Sequence, residues 1–155
     1  MKNGTLSFFC GKMGAGKSTL AALKASEHSA ILISEDDWLS QLYAGRVKTV
    51  ADYKLYSDKL KPVVFELVQQ ILSSGVSVVL DFPANTQGQR KWLQSISDGI
   101  NAEHVCYWVD RTDDVCIQQL LKRGNPHTDT IEMFHAMAQY FTEPCDSERL
   151  NITSA

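Results

Sequence analysis

A parallel α/β sheet with helices on both faces is the fold class this sequence predicts, and three observations carry it. Short apolar segments alternate with helical patterns along the whole chain. The segments at residues 5–10 and 76–81 are almost continuously apolar, as strands covered on both faces are. The first of them runs directly into a glycine-rich turn that opens a helix. With 155 residues, 44% hydrophobic and 21% charged, the chain reads as one domain over residues 1–155, able to bury about two-thirds of its unfolded surface.

Residues 5–10 form the first strand, rich in Phe and Leu and ending at Gly11. Residues 17–28 follow as a helix carrying Leu20, Ala21, Leu23 and Ala25, and residues 30–34 as a second strand. Residues 35–43 and 49–60 read as helices. Pro62 is expected to break or restart the second of these, because proline fits a first turn and disfavours helix at Lys61. Val64, Leu67, Val68, Ile71 and Leu72 then make an apolar stripe that ends at Gly75, a residue suited to a helix C-terminus. A third strand over 76–81, a helix over 87–100, a fourth strand over 103–110 and a helix over 112–123 continue the alternation until Gly124-Asn125-Pro126 stops it. Asp129 and Glu132 are spaced as a capping box for a last helix bearing Ile131, Phe134, Ala138 and Phe141. Leu150-Asn151-Ile152 is the candidate fifth strand.

The net charge of −3 argues against a general nucleic-acid or membrane-surface binder, leaving only a local basic groove open. Cys10, Cys106, Cys116 and Cys145 show no C-x-x-C spacing, which excludes a zinc knuckle and a redox pair and suggests reduced thiols. His28, His104 and His135 have no metal-ligand spacing either. No leader-like apolar core follows residues 1–4, and no apolar run reaches the roughly 18 residues of a membrane span, so the expected compartment is cytoplasmic.

Gly11-Lys12-Met13-Gly14-Ala15-Gly16-Lys17-Ser18 satisfies G-x-x-x-x-G-K-[ST], directly after a strand and at the start of a helix. The glycines let backbone N–H groups turn around phosphate oxygens, and the helix start adds partial positive charge at the same point. In that chemistry Lys17 reaches the β- and γ-phosphates and the Ser18 hydroxyl binds Mg²⁺. A GTPase would show D-x-x-G and N-K-x-D. Here Asp81 is followed by Phe82-Pro83-Ala84 and no N-K-x-D occurs. A motor-type ATPase would place Glu after the strand-end Asp, where Phe82 stands. Transfer to an acceptor other than water is the remaining branch.

Four segments together resemble the small P-loop kinases, a group containing chloramphenicol phosphotransferase, zeta toxins, gluconate kinase, polynucleotide kinase and many ATP-binding proteins of AAA type. They are residues 11–19, Ile33-Ser34-Glu35-Asp36-Asp37-Trp38, Val78-Val79-Leu80-Asp81-Phe82 with Arg90 beyond, and Leu121-Lys122-Arg123-Gly124-Asn125. The resemblance spans residues 5–152 and implies a five-stranded sheet of order 2-3-1-4-5, ATP as donor, Mg²⁺ as cofactor, and a lid over about 123–130. It implies ATP contacts from Gly11, Met13, Gly14, Ala15, Gly16, Lys17, Ser18 and Thr19, and metal contacts from Ser18 and Asp81. It places the base that takes the acceptor's proton at Asp36, with Asp37 the alternative, and a charge-neutralising lid residue at Arg123 beside Lys122 and His127.

Other readings of the same residues stay open. Ser34 and Asp37 also form a capping pattern, and Lys122 and Arg123 also suit a helix C-terminus. Trp38, Tyr43, Arg46, Tyr53 and Tyr56 are candidates either for packing or for covering an acceptor. Arg90, Lys91 and Trp92 are candidates for substrate contact or for a solvated helix face. The expected activity is phosphoryl transfer from ATP to a hydroxyl of a small-molecule or nucleotide-like acceptor. A 5′-hydroxyl polynucleotide kinase and a non-catalytic ATP-binding regulatory protein are the alternatives.

Overall fold

The computed structural model describes residues 2–126 and 128–155, so the expectation for His127 lies outside the described residues. Five parallel strands, β1 (Leu6–Cys10), β2 (Ile31–Ser34), β3 (Val78–Pro83), β4 (His104–Trp108) and β5 (Ile152–Ser154), form one sheet in the order β2-β3-β1-β4-β5. The fold class is therefore the one expected, strand order included. Strand β1 lies at the centre and every one of its residues is buried. Alternate residues feed two cores. Leu6, Phe8 and Cys10 pack with Val64, Val68, Leu72, Leu80 and Leu93 on one face. Phe9 packs with Ala21, Val79, Tyr107, Cys116, Leu120 and Phe134 on the other.

Six helices join the strands: α1 (Lys17–Glu27), α2 (Glu35–Leu42), α3 (Val50–Ser73), α4 (Gln87–Asp98), α5 (Asp113–Arg123) and α6 (Ile131–Ala138). Helix α3 runs unbroken through Pro62, against the expected break. Leu60 and Val64 anchor it in the core on either side, whereas Pro62 and Asp58, four residues before it, lie on the exposed face, where a carbonyl freed by proline is open to solvent. The N-cap of α6 is Thr130, whose hydroxyl accepts the Met133 amide at 3.1 Å, and not Asp129. Phe141 falls beyond the end of α6 and packs against the first core, with the Lys12 ammonium 5.8 Å from its ring centre. The fifth strand lies two residues later than Leu150.

Arg90 is neither a substrate contact nor part of a solvated face. It is fully buried, and its guanidinium grips Glu148 at 2.7 and 3.2 Å, the Ala84 carbonyl at 3.0 Å and the Thr142 carbonyl at 2.9 Å. It thereby ties residues 142–148 beneath the carboxyl edge of the sheet. Of the four cysteines, all unpaired, only Cys145 is exposed. Among the described residues no helix is long and apolar enough to cross a membrane.

Candidate active site

The chain after β1 folds as the motif demands. Gly14 and Gly16 take φ of +80° and +97°, values that favour glycine, and Ala15 donates its amide to the Lys12 carbonyl at 3.1 Å. The α2, α3, α4, α5 and α6 N-termini are each closed by a Ser or Thr hydroxyl, whereas α1 begins at Gly16 with no side-chain cap. Its first amides are thus left for the glycine loop to present, which is the arrangement that binds phosphate. The Lys17 ammonium donates to the Gly11 carbonyl across the loop. Burial pushes its pKa down, opposed by the charges of Cys10, Asp81, Cys116 and Asp36. On the outer side Lys12 is pinned to Asp113 at 2.7 Å, and the Gly11 amide is held by the Asn85 side chain at 3.2 Å. Asn85 was not legible as a site residue; it fastens the loop to the start of α4 and, through its carbonyl, to the Thr142 amide at 2.8 Å.

Ser18, the second residue of α1, donates its hydroxyl to Asp81 Oδ2 at 2.8 Å. Asp81 stands next to Ser34 in the register of β3 and β2, so the carboxyl ends of the two strands bring Ser18, Asp81 and the start of α2 together. A hydroxyl and a carboxylate side by side are hard oxygen donors, the kind that hold Mg²⁺ together with water and phosphate oxygens. The donor set therefore fits the metal that the motif implies.

Helix α2 begins with three acids, and the structure separates their roles. Ser34 caps the helix, accepting the Asp37 amide at 3.4 Å, so the capping pattern is real but engages only the Asp37 backbone. Asp36 keeps contact with solvent. The protein around its carboxyl raises its pKa above the ordinary value; the charges of Asp81 and Asp37 raise it further, and Arg123 and Lys17 pull it back. Asp36 stands in the first turn of α2, which follows directly on the Ser34 that pairs with Asp81, and it lines a cleft with Tyr43 and Tyr53. Glu35 points the other way and is only 2% exposed. Its carboxylate accepts the Tyr53 hydroxyl and the Ser57 hydroxyl, the latter at 2.7 Å, and burial raises its pKa against those two hydrogen bonds.

Against Glu35 lies a cleft of about 390 Å³, walled by Tyr53, Ser57 and Lys61 of α3, by Phe82 and Pro83, and by Trp92 of α4, and Asp36 lines a second cleft of about 350 Å³ that shares Tyr53 with the first. Tyr53 thus faces both clefts. Tyr43 and Tyr56 pack on each other, their ring centres 4.4 Å apart, and with Trp38 they rest on the core, while Tyr43 also lines the cleft of Asp36. Arg123 ends α5 with a side chain 58% exposed, paired at 2.6 Å with Asp129, whose own side chain is fully buried. The Asp129 contact, like the Glu35 one, was missed. Met13 packs against the second core and Thr19 lies on the exposed side of α1.

No curated protein matches the chain. Several solved structures share its fold. A sugar kinase from Janibacter is 14% identical with a TM-score of 0.67, the match covering 99% of this chain and 84% of that one. A protein from Chloroflexus aurantiacus, provisionally assigned as a kinase, is 15% identical with a TM-score of 0.77, over 100% and 86% of the two chains. The Mycobacterium tuberculosis APS kinase, solved with AMPPNP and APS, is 16% identical with a TM-score of 0.67, over 93% and 85%. These structural matches show a shared P-loop kinase-like fold. Residues 6–144 match the sequence profile of the AAA domain, and the chain belongs to that family.

Proposed function

We propose that the protein is an ATP-dependent phosphotransferase that moves the γ-phosphate of ATP to a hydroxyl of a small molecule. The observation that carries this reading is the Ser18–Asp81 hydrogen bond at the uncapped start of α1, with Asp36 in the first turn of α2, which follows directly on the Ser34 that pairs with Asp81 in the sheet. The loop amides and Lys17 bind the phosphates. Ser18 and Asp81 would hold Mg²⁺, which when bound neutralises charge on the β- and γ-phosphates. Asp36 accepts the proton of the acceptor hydroxyl as its oxygen bonds to the γ-phosphorus and the bond to the β–γ bridging oxygen breaks; the proton ends on Asp36, and ADP leaves. A carboxylate with a raised pKa is a stronger base than a free one and suits that step. Arg123 supplies positive charge to the group in transfer.

The two clefts that share Tyr53, about 390 and 350 Å³, fall in the range of small-molecule sites; Phe82, Pro83 and Trp92 give the first apolar walls that suit a compact acceptor, and Asp36 lines the second. A polynucleotide strand would call for a basic groove, whereas of the two lysines at the first cleft Lys54 is paired with Asp58 at 3.2 Å and Lys61 lies 5.5 Å from the Trp92 ring centre. The test is a transfer screen with γ-labelled ATP over sugars, nucleosides, aminoglycosides, chloramphenicol-like compounds and 5′-hydroxyl oligonucleotides. Label on a small molecule, lost in Asp36→Asn, is the expected result. Label only on oligonucleotides would move the assignment to a polynucleotide kinase, and tight ATP binding with no labelled product would move it to a regulatory nucleotide-binding protein.

A further inference from the structure

Six residues beyond the end of α5, Asp129 forms a contact that neither the phosphate loop nor the acceptor cleft explains. Its carboxylate is fully buried and every lone-pair direction is used. Oδ2 accepts Arg123 Nε at 2.7 Å and the Asn125 amide at 3.0 Å, and Oδ1 accepts Arg123 Nη2 at 2.6 Å and the Thr128 hydroxyl at 3.1 Å. The backbone closes the same turn, with the Asp129 amide on the Asn125 carbonyl at 2.8 Å. Arg123 is held on one edge only. Among the described residues its Nη1 has no protein partner, and more than half of the side chain stays open to solvent.

In the Arg90–Glu148 pair it is the guanidinium that is fully enclosed. Here the anion is enclosed and the cation projects. The bidentate grip fixes the plane of the guanidinium, since Nε and Nη2 together leave it no free rotation about the last side-chain bonds. Helix α5 borders the phosphate loop, since a Cβ on Gly14 would clash with the Cys116 carbonyl oxygen and fall 3.1 Å from Leu120 Cβ, and Arg123 stands three residues past Leu120 on that helix.

We propose that Asp129 is a positioning residue for Arg123: its buried carboxylate holds the guanidinium so that the free Nη1 edge is presented to the phosphoryl group during transfer. This rests on the phosphotransferase reading and on Arg123 acting in it. The consequence is that the charge-stabilising donor is ordered before the reaction and needs no reorganisation at the moment of transfer. Asp129 touches no reacting atom, and its effect passes through Arg123 alone.

The test needs no knowledge of the acceptor. Calorimetry of the full chain with MgAMPPNP reads ground-state binding, and with MgADP plus aluminium fluoride reads binding of a mimic of the transferred group. Asp129→Asn, which loses the charged acceptor, is expected to weaken the mimic about tenfold while changing MgAMPPNP affinity less than about twofold. In an Arg123→Ala background the same substitution should add nothing to the loss of the mimic. Asp129→Glu, which displaces the guanidinium by one methylene, should give the same selective loss and serves if the asparagine variant does not fold. An Asp129→Asn mimic affinity equal to wild type, beside a weakened Arg123→Ala, would overturn the proposal. So would equal losses for both ligands that persist without Arg123, which would mark a purely structural contact. An Arg123→Ala protein that binds both ligands normally would also overturn it, whereas wild-type protein that binds neither nucleotide would remove the phosphotransferase reading itself.

Discussion

Asp36→Asn is the substitution that best separates chemistry from architecture. The asparagine keeps the volume of the side chain, leaves the Ser34 hydroxyl on the Asp37 amide, and touches neither the glycine loop nor the Ser18–Asp81 pair. What it removes is the proton acceptor. Loss of a positioned general base lowers turnover by about 10²–10⁴-fold, which at about 1.36 kcal/mol per tenfold is roughly 2.7–5.4 kcal/mol of barrier. Binding of MgATP should not weaken, because the carboxylate sits among Asp81 and Asp37 and repels added phosphate. Stability should move the opposite way to activity. Asp36 has a folded pKa above its unfolded value, so its favourable contribution is complete below the unfolded pKa and is lost as pH rises through the folded one. At neutral pH the ionised group is therefore a liability, and the asparagine protein should melt at a higher temperature. Steady-state turnover of the acceptor found in the screen, calorimetry with MgATP and thermal melts at pH 7 give the three readings. The acid limb of kcat/KM should lie above the ordinary carboxylate range in wild type and be absent in the variant. Turnover within threefold of wild type, in a protein whose melting temperature rises, would show that Asp36 is not the base and pass the role to Asp37.

Lys17→Ala should abolish transfer and weaken MgATP about 10–100-fold, the worth of a charged hydrogen bond, and calorimetry finding the affinity unchanged would refute the phosphate-loop assignment. Asp81→Asn should leave metal-free ATP affinity at or above wild type while shifting the magnesium dependence of turnover about tenfold upward, read from a titration of free Mg²⁺; an unshifted curve would remove Asp81 from the metal site. Glu148→Ala leaves the buried Arg90 charge with neutral acceptors only, a loss of about 3 kcal/mol, which for a chain of this size is about 6–12 °C of melting temperature. A fall of less than about 3 °C would mean that the Ala84 and Thr142 carbonyls suffice.

What was legible in the sequence was what local pattern determines. The strands announce themselves by apolar runs and the phosphate loop by eight adjacent residues, whereas the sheet order was implied only by the resemblance to the small P-loop kinases; the order and the loop geometry both agree with expectation. The missed contacts belong to pairs that no local window contains. Glu35 reads as one acid of three; it is buried because Tyr53 and Ser57, 18 and 22 residues later and one turn apart on α3, both aim hydroxyls at it. Gly11 and Asn85 are 74 residues apart, Arg90 and Glu148 58. Asp129 lay within reach of Arg123 in sequence, and was misread for a different reason. Its spacing to Glu132 imitates a capping box, but Thr130 takes the cap, which frees the carboxylate to turn inward. Pro62 misled because a proline on the exposed side of a helix anchored at Leu60 and Val64 costs only one solvated carbonyl.

The two cations of the site are restrained in physically different ways, and the difference assigns them different tasks in the proposed reaction. Lys17 is tied to one neutral carbonyl, that of Gly11. A phosphate oxygen carries charge and is the stronger acceptor, so arriving phosphate exchanges that bond for a better one, and the ammonium acts in capture. Burial already weighs against its charged form, and a phosphate beside it reverses that penalty, which makes the gain from binding larger than for a solvated lysine. Arg123 is tied to a buried carboxylate through two charged hydrogen bonds, and one exposed anion has no advantage over both of them together. It therefore stays where Asp129 holds it and offers only its free edge. A group that moves to its ligand stabilises the bound state and the transition state alike, whereas a group fixed in advance stabilises whichever state brings charge to it. On that ground substitution of Lys17 shows first in nucleotide affinity, and substitution of Arg123 or of its anchor shows first in turnover.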